Sequence, residues 1–404
     1  MALNQQEMTN IPKVSVILTS FNHDRFIAEA IESVLSQSFQ DFELIIADDS
    51  STDRSWEIIS SYRDPRICLF KSDSNERGLI NKVLKSGMVR GEYVAIHHSD
   101  DAWESDKLER QVEFLDRNCE VGAVFTKVKI IDEFSITIED HQAVNNTQKN
   151  YLQIFDRRNR NKEEWLRRFF YKGNCLCHPS VLIRKKCYDI IGCYDVFYRQ
   201  LPDFDFWVRV CQQFEIYILP EKLTKFRIHR TEVNTSATSD ANLGRLGYEF
   251  YEILYNYISI KDKHCLLKIF PEENENIIID GSLPEYCVAK AAINSENPSA
   301  KAFGTILLAE LMRKEETREI ISKVHNFNLN DFHKIIGSMD LFKTVTISTL
   351  EHKISELSKN IDAINEEKNL LVGNISTITQ STSWKITAPL RSLDNYFNNS
   401  RKKF

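Results

Sequence analysis

Short apolar runs separated by polar clusters dominate the first half of the chain. Residues 13–18 are β-branched and predict a buried strand, broken at 19–22 by Thr-Ser-Phe-Asn. Phe26, Ile27, Ala30, Ile31, Val34 and Leu35 then recur with the spacing of one helix face. Residues 42–47 predict a second strand, ending in Asp48-Asp49-Ser50-Ser51-Thr52-Asp53, with a helix from about Arg54. Residues 66–70 and 93–96 predict two more, the latter followed by a helix through Leu108, Val112 and Leu115. Continuous apolar strands alternating with helices mean an α/β fold, a mostly parallel sheet with helices on both faces. Ligands of such sheets bind beyond the carboxyl ends of the strands. The polar clusters at 19–22, 48–53 and 98–101 all fall there.

Residues 122–131 predict a further strand, and the polar stretch 139–162 an excursion. Strand character returns at 178–183. A helix begins at 202–210 with acidic residues in its first turn, where the helix dipole favours them. Residues 216–219 and 224–228 read as two strands ending at His229, and the polar stretch 231–242 marks a boundary. Residues 243–345 are helical in spacing and carry no recognisable chemistry. Beyond them Ile347, Leu350, Ile354, Leu357, Ile361, Ile364, Lys368, Leu371, Ile375 and Ile378 alternate in steps of three and four. That is a coiled-coil seam with one polar exception, and it predicts a homo-oligomer. The expected organisation is thus an α/β domain at 11–236, a helical region at 243–345, a coiled coil at 346–380 and a basic amphipathic tail at 381–404. Trp384, Ile386, Leu390 and several cations suit that tail to peripheral contact with an anionic membrane.

Composition narrows the function. The net charge of −6 argues against nucleic acid as the main partner. Nine cysteines, an odd number, argue against a disulfide framework and for a reducing cytoplasm. Cys175 and Cys177 lack a second pair at ligand spacing, so they read as buried thiols rather than a zinc site. The first ten residues have no signal-peptide core, and no window approaches the length of a membrane span.

The chemistry concentrates at His97-His98-Ser99-Asp100-Asp101-Ala102-Trp103, where a strand ends in adjacent carboxylates. Two such groups repel unless a cation or donors compensate them. A hard divalent ion shared with phosphate oxygens is the natural partner. A helix N-cap is the simpler use of the same residues.

Together, five ordered blocks resemble the family 2 glycosyltransferases of GT-A fold. These are residues 14–22 (VSVILTSFN), the stretch 30–53 from AIESVLSQS to FELIIADDSSTD, SDDAW at 99–103 with Asp106, Lys107, Leu108 and Gln111, DFDFWVR at 203–209, and FRIH at 226–229 with Ser236. The resemblance implies an inverting hexosyltransferase moving a sugar from a nucleotide-diphosphate sugar, with UDP favoured, to a saccharide hydroxyl. It implies Thr19, Phe21 and Asn22 at the nucleotide, with Asp49 accepting from a base N–H and Asp48 in support. Asp100 would face the ribose or share the metal. Asp101 would hold Mn²⁺ or Mg²⁺, and His229 is a further ligand candidate. Asp203 would be the general base.

Some positions depart from the family pattern. His98 stands where an Asp is common, and Pro202 replaces the usual Glu. That leaves Asp203 or Asp205 as base, with motif position favouring Asp203. The spacing of Asn75, Gly78 and Asn81 also deviates. The ending SWKITAPLR at 383–391 resembles tails of bacterial surface-polysaccharide glycosyltransferases, which implies O-antigen or capsule assembly on a lipid-linked acceptor at the inner membrane face. Two other readings compete: an inactive GT-A scaffold working through its coiled coil, and a nucleotidyltransferase. The second would need a glycine-rich basic loop after the first strand, and residues 19–23 contain neither Gly nor Lys.

Overall fold

The computed structural model describes residues 11–75, 78–138, 153–229, 239–341, 343–388 and Arg391. Ser236, most of the 139–162 excursion and most of the tail, including Leu390, lie outside them. The chain divides into two compact units, residues 1–332 and 333–404.

The first unit is built on eight strands: β1 (Val14–Ser20), β2 (Phe42–Asp48), β3 (Ile67–Lys71), β4 (Tyr93–His98), β5 (Ala102–Trp103), β6 (Val121–Ile131), β7 (Leu182–Arg184) and β8 (Glu215–Arg227). They form one sheet in the order β3-β2-β1-β4-β7-β6-β8-β5. Strands β3, β2, β1 and β4 are mutually parallel, whereas β7 runs antiparallel to both β4 and β6. The sheet is therefore parallel in its first half and mixed in its second.

Burial explains the first half. Every residue of β2 is buried, as expected of a strand covered on both faces. The helix Ile27–Leu35 turns Ile27, Ala30, Ile31 and Val34 into the core they share with Val16, Leu18, Leu44 and Ile46. Where β4 begins, Gly91 lies so close to β1 that a Cβ would stand 2.5 Å from the amide nitrogen of Ser15. Its own amide donates to Ser15 Oγ at 2.8 Å, and that hydroxyl donates to the buried carboxylate of Glu43.

Two expectations change in the second half. Residues 216–219 and 224–228 belong to the single strand β8, because irregularities in its pairing with β6 absorb Pro220, Glu221 and Leu223 without ending the ladder. Residues 178–180 form a 3₁₀ turn, since Pro179 has no amide to give a ladder, and the strand starts only at Leu182.

The helices from Asp240–Ile253 to Glu315–His325 belong to the same compact unit as the sheet. They bury Phe250, Tyr257, Phe270 and Phe303. In the second unit, Thr344–Gln380 is one uninterrupted helix of 37 residues. No helix among the described residues is long and apolar enough to cross a membrane. All nine cysteines are free thiols, and Cys175 and Cys177 are buried.

Candidate functional site

Strand register brings the three polar clusters together. Thr19 pairs with Ala47 on one side and His98 on the other, and Ser20 pairs with Asp48. The amides of Asp49 and Ser99 donate to the carbonyls of Ser20 and Thr19. The ends of β1, β2 and β4 therefore form one wall.

Within it, Asp48 is fully buried. Its carboxylate accepts from the amide and hydroxyl of Ser51 at 3.0 and 2.5 Å, and so shapes the Asp-Asp-Ser-Ser turn. Asn22 adopts a left-handed backbone, which Asn tolerates better than most residues. Its amide donates to Ser51 Oγ, and its side-chain oxygen accepts from the amide of Thr52 at 2.8 Å. Thr19 and Asp49 are partly exposed and Phe21 is exposed, so these three present surface at the mouth of the wall.

The acidic centre follows β4. One ligand atom each from His98, Asp100 and Asp101 lie within 4.8 Å of one another. Asp101 is almost wholly buried, and Oδ1 accepts the amide of Arg227 at 2.8 Å. Its other oxygen, Oδ2, is buried without a hydrogen-bond partner among the described residues, 3.8 Å from His98 Nδ1. Burial, then the neighbouring charge of Asp100, pushes the Asp101 carboxyl well above the ordinary range. Burial acts the same way on Asp100, but the hydrogen bond from His229 and the facing His23 and His98 hold it at about 2. His229 Nε2 meets Asp100 Oδ2 at 3.1 Å, and its ring packs against those of His23 and Phe26, which also touch each other. An orphaned carboxylate oxygen beside a second carboxylate and an imidazole fits a divalent cation. His98 thus joins the carboxylates, a role its motif position did not announce.

Arg227 holds this centre in place. Its guanidinium is fully buried and donates to the carbonyls of Asp100 and Asp132 at 2.6 and 2.8 Å, to Ser135 Oγ at 3.0 Å and to Glu29 at 2.6 Å. Gln111 ties the following helix, Lys107–Arg117, to the carbonyls of Val124 and Ser180.

Asp203 and Asp205 open the helix Pro202–Gln213 and have separate surroundings. Asp205 is paired with Arg209 at 2.7 Å through Oδ2, while Oδ1 accepts from Asn256. The i,i+4 spacing of Asp205 and Arg209 is a pairing signal visible in the sequence. Asp203 accepts from Asn174 Nδ2 at 2.9 Å. Burial pushes its carboxyl up to about 6, against the amide of Phe204 and Asn174. Burial, then the charge of Asp101, pushes the Cys177 thiol well above its ordinary range.

Glu249 lies on the helix Asp240–Ile253, in the region whose sequence shows no chemistry. Its buried carboxylate accepts the consecutive amides of Arg199, Gln200 and Leu201 at 2.8–2.9 Å, fixing the approach to Asp203.

Comparison with known proteins identifies the family. The profile of Glycosyl transferase family 2 matches residues 15–189. EpsE of Bacillus subtilis strain 168, whose own assignment as a glycosyltransferase is provisional, is 31% identical over 228 residues, covering 54% of this chain and 74% of that one. The UDP-Glc:alpha-D-GlcNAc-diphosphoundecaprenol beta-1,3-glucosyltransferase WfaP of Escherichia coli is 36% identical over 126 residues, 31% of this chain and 49% of that one. The crystal structure of S. aureus TarS 1-349 with UDP-GlcNAc aligns over 81% of this chain and 91% of its own, at 16% identity and a TM-score of 0.49. The chain belongs to glycosyl transferase family 2.

Proposed function

We propose that this glycosyltransferase moves a sugar from a nucleotide-diphosphate sugar, UDP-linked by preference, to a saccharide hydroxyl with inversion, in bacterial cell-surface polysaccharide synthesis. The observation that carries the reading is the pairing of an acidic, partly unsatisfied centre at the strand ends with a separate, partly buried carboxylate, Asp203, of raised pKa.

Thr19, Phe21 and Asp49 line the nucleotide, with Asn22 and Asp48 shaping the turn behind them. Asp100 and Asp101 hold Mn²⁺ or Mg²⁺, with His98 beside them and His229 as the further ligand. The cation supplies charge neutralisation at the departing diphosphate. Asp203 accepts the proton of the acceptor hydroxyl as its oxygen bonds to the anomeric carbon. The carbon–oxygen bond to the diphosphate breaks on the opposite face, so one displacement inverts the centre. Asp205 serves the fold, because its oxygens are taken by Arg209 and Asn256. A scaffold without activity has no use for adjacent carboxylates, one buried and one partly so, that repel each other.

Surface-polysaccharide synthesis draws support from the similarity to WfaP, a glucosyltransferase named for a diphosphoundecaprenol-linked sugar acceptor. A cytoplasmic protein touching the inner membrane face through its tail fits a lipid-linked acceptor. The same reading makes Thr344–Gln380 an oligomerisation element.

The test is calorimetric titration of UDP-, GDP- and dTDP-linked sugars with Mn²⁺ and then with EDTA. Metal-dependent binding of one donor class is expected. A folded protein that binds none of them overturns the reading in favour of the scaffold.

A further inference from the structure

We infer that the helix Thr344–Gln380 pairs with the same helix of a second copy as a parallel, in-register, two-stranded coiled coil, with Lys368 fixing both register and strand number. This rests on reading the helix as an oligomerisation element.

The helix carries an unbroken 3.5-residue repeat. Ile347, Ile354, Ile361 and Ile375 occupy one core position with Lys368, and Leu350, Leu357, Ile364, Leu371 and Ile378 occupy the other. The apolar members are 50–65% exposed. From Ile347 to Ile378 the seam runs about 47 Å at 1.5 Å per residue. A helix of this length with a strictly spaced, uncovered stripe gains its stability from a partner with the same repeat. A second copy supplies that repeat in full.

Side-chain branching and charge set the geometry. β-Branched Ile at the first core position with mainly Leu at the second favours two parallel strands. In that arrangement each core residue meets its own counterpart. The two Lys368 share a single layer, and each also lies beside Glu367 of the second copy, which neutralises it. An antiparallel pair with the same overlap sets Leu357 against Lys368 in two separate layers. The flanking positions there are Ser358 and Asn360, which carry no negative charge. The parallel form therefore has one polar layer and a counter-ion for it, and the antiparallel form has two without. Trimers and tetramers bury more of the lysine stem and charge, so Lys368 also limits the strand number.

The experiment uses the full chain. Sedimentation equilibrium should give twice the 47.1 kDa of one chain. Ile361→Asp should return a monomer that still binds its nucleotide-sugar donor. Leu350→Cys should form a covalent dimer on mild oxidation that the wild-type chain, with its nine native cysteines, does not form. Lys368→Ile removes the polar constraint while the remaining core still favours pairs, so it should give a mixture of dimers and larger species in place of a single mass. A dimer in which Leu350→Cys does not cross-link overturns the parallel geometry and leaves self-association standing. A wild-type monomer overturns both and leaves the glycosyltransferase reading untouched.

Discussion

Arg227 grips the acidic centre twice. Its amide donates to Asp101 Oδ1 at 2.8 Å, and its guanidinium Nε donates to the carbonyl of Asp100 at 2.6 Å. One residue at the end of β8 thus sets both the orientation of one carboxylate and the backbone that carries the other. The amide contact survives substitution and the guanidinium fork does not. Lysine keeps the charge but has no planar array to reach Asp100, Asp132 and Glu29 together. Arg227→Lys should cost about 2–4 kcal/mol in urea denaturation, in the range for breaking a buried charged network. Metal-dependent donor binding should weaken at least tenfold. A variant that loses stability but binds donor normally would show that Arg227 serves the core alone.

The repulsion between Asp100 and Asp101 gives the metal proposal a readout independent of turnover. Asp101 Oδ2 is buried without a partner among the described residues, and bringing charge to it is costly. Asp101→Asn removes that charge and keeps an acceptor for the amide of Arg227. The metal-free variant should melt at or above the wild-type temperature. Millimolar Mn²⁺ should raise the melting temperature of the wild-type chain, as any ligand of the native state does, and leave the variant unchanged. An equal Mn²⁺ shift in both proteins would move the ion elsewhere.

Asp203 makes a prediction in pH. With its carboxyl at about 6, the fraction able to take a proton falls as pH drops through 6. The transfer rate should therefore fall towards tenfold per pH unit below that point. Asn174 donates to the carboxylate and favours its charged form, so Asn174→Ala should move the limb to higher pH. Asp203→Asn should slow transfer by about 10²–10⁴ with donor binding intact. Stability gives a second signature. A carboxyl raised from 3.8 in the unfolded chain to about 6 in the fold contributes most at low pH, and that contribution is lost as pH rises from about 4 to 6. Asn does not titrate, so its advantage in melting temperature over the wild type should be larger at pH 8 than at pH 4.5.

The strand ends, and with them the polar clusters, are legible in the sequence because a continuous apolar run that stops at a polar residue marks a buried parallel strand. Asp101 stands out as a carboxylate at such a place, and Asp203 as one in the first turn of a helix. Partners far apart in the chain leave no such mark. Arg227 reads as one more residue of a strand until the fold brings it to Asp101, 126 positions earlier. His98 reads as a replaced aspartate, and its closeness to Asp101 depends on how the loop turns. The Asp205–Arg209 pair is different, because its i,i+4 spacing is a local signal that separates Asp205 from Asp203 in the sequence alone.

Glu249 supplies the last test, because nothing around it in sequence points to catalysis. Its two oxygens accept three successive amides, at Arg199, Gln200 and Leu201, immediately before the helix that begins at Pro202 and carries Asp203. Those amides belong to a turn leading into a helix start, where donors lack partners within the helix itself. A carboxylate satisfies all three, whereas a carboxamide turns its NH₂ towards at least one of them, donor against donor. Glu249→Gln should lose about 1.5–3 kcal/mol, the range for hydrogen bonds to a charged group. The approach to Asp203 should loosen, so kcat should fall severalfold while the nucleotide-sugar dissociation constant stays within twofold. Glu249 acts through this turn and not by touching substrate. A change confined to donor affinity, with kcat preserved, would place its influence on the nucleotide wall rather than on the base.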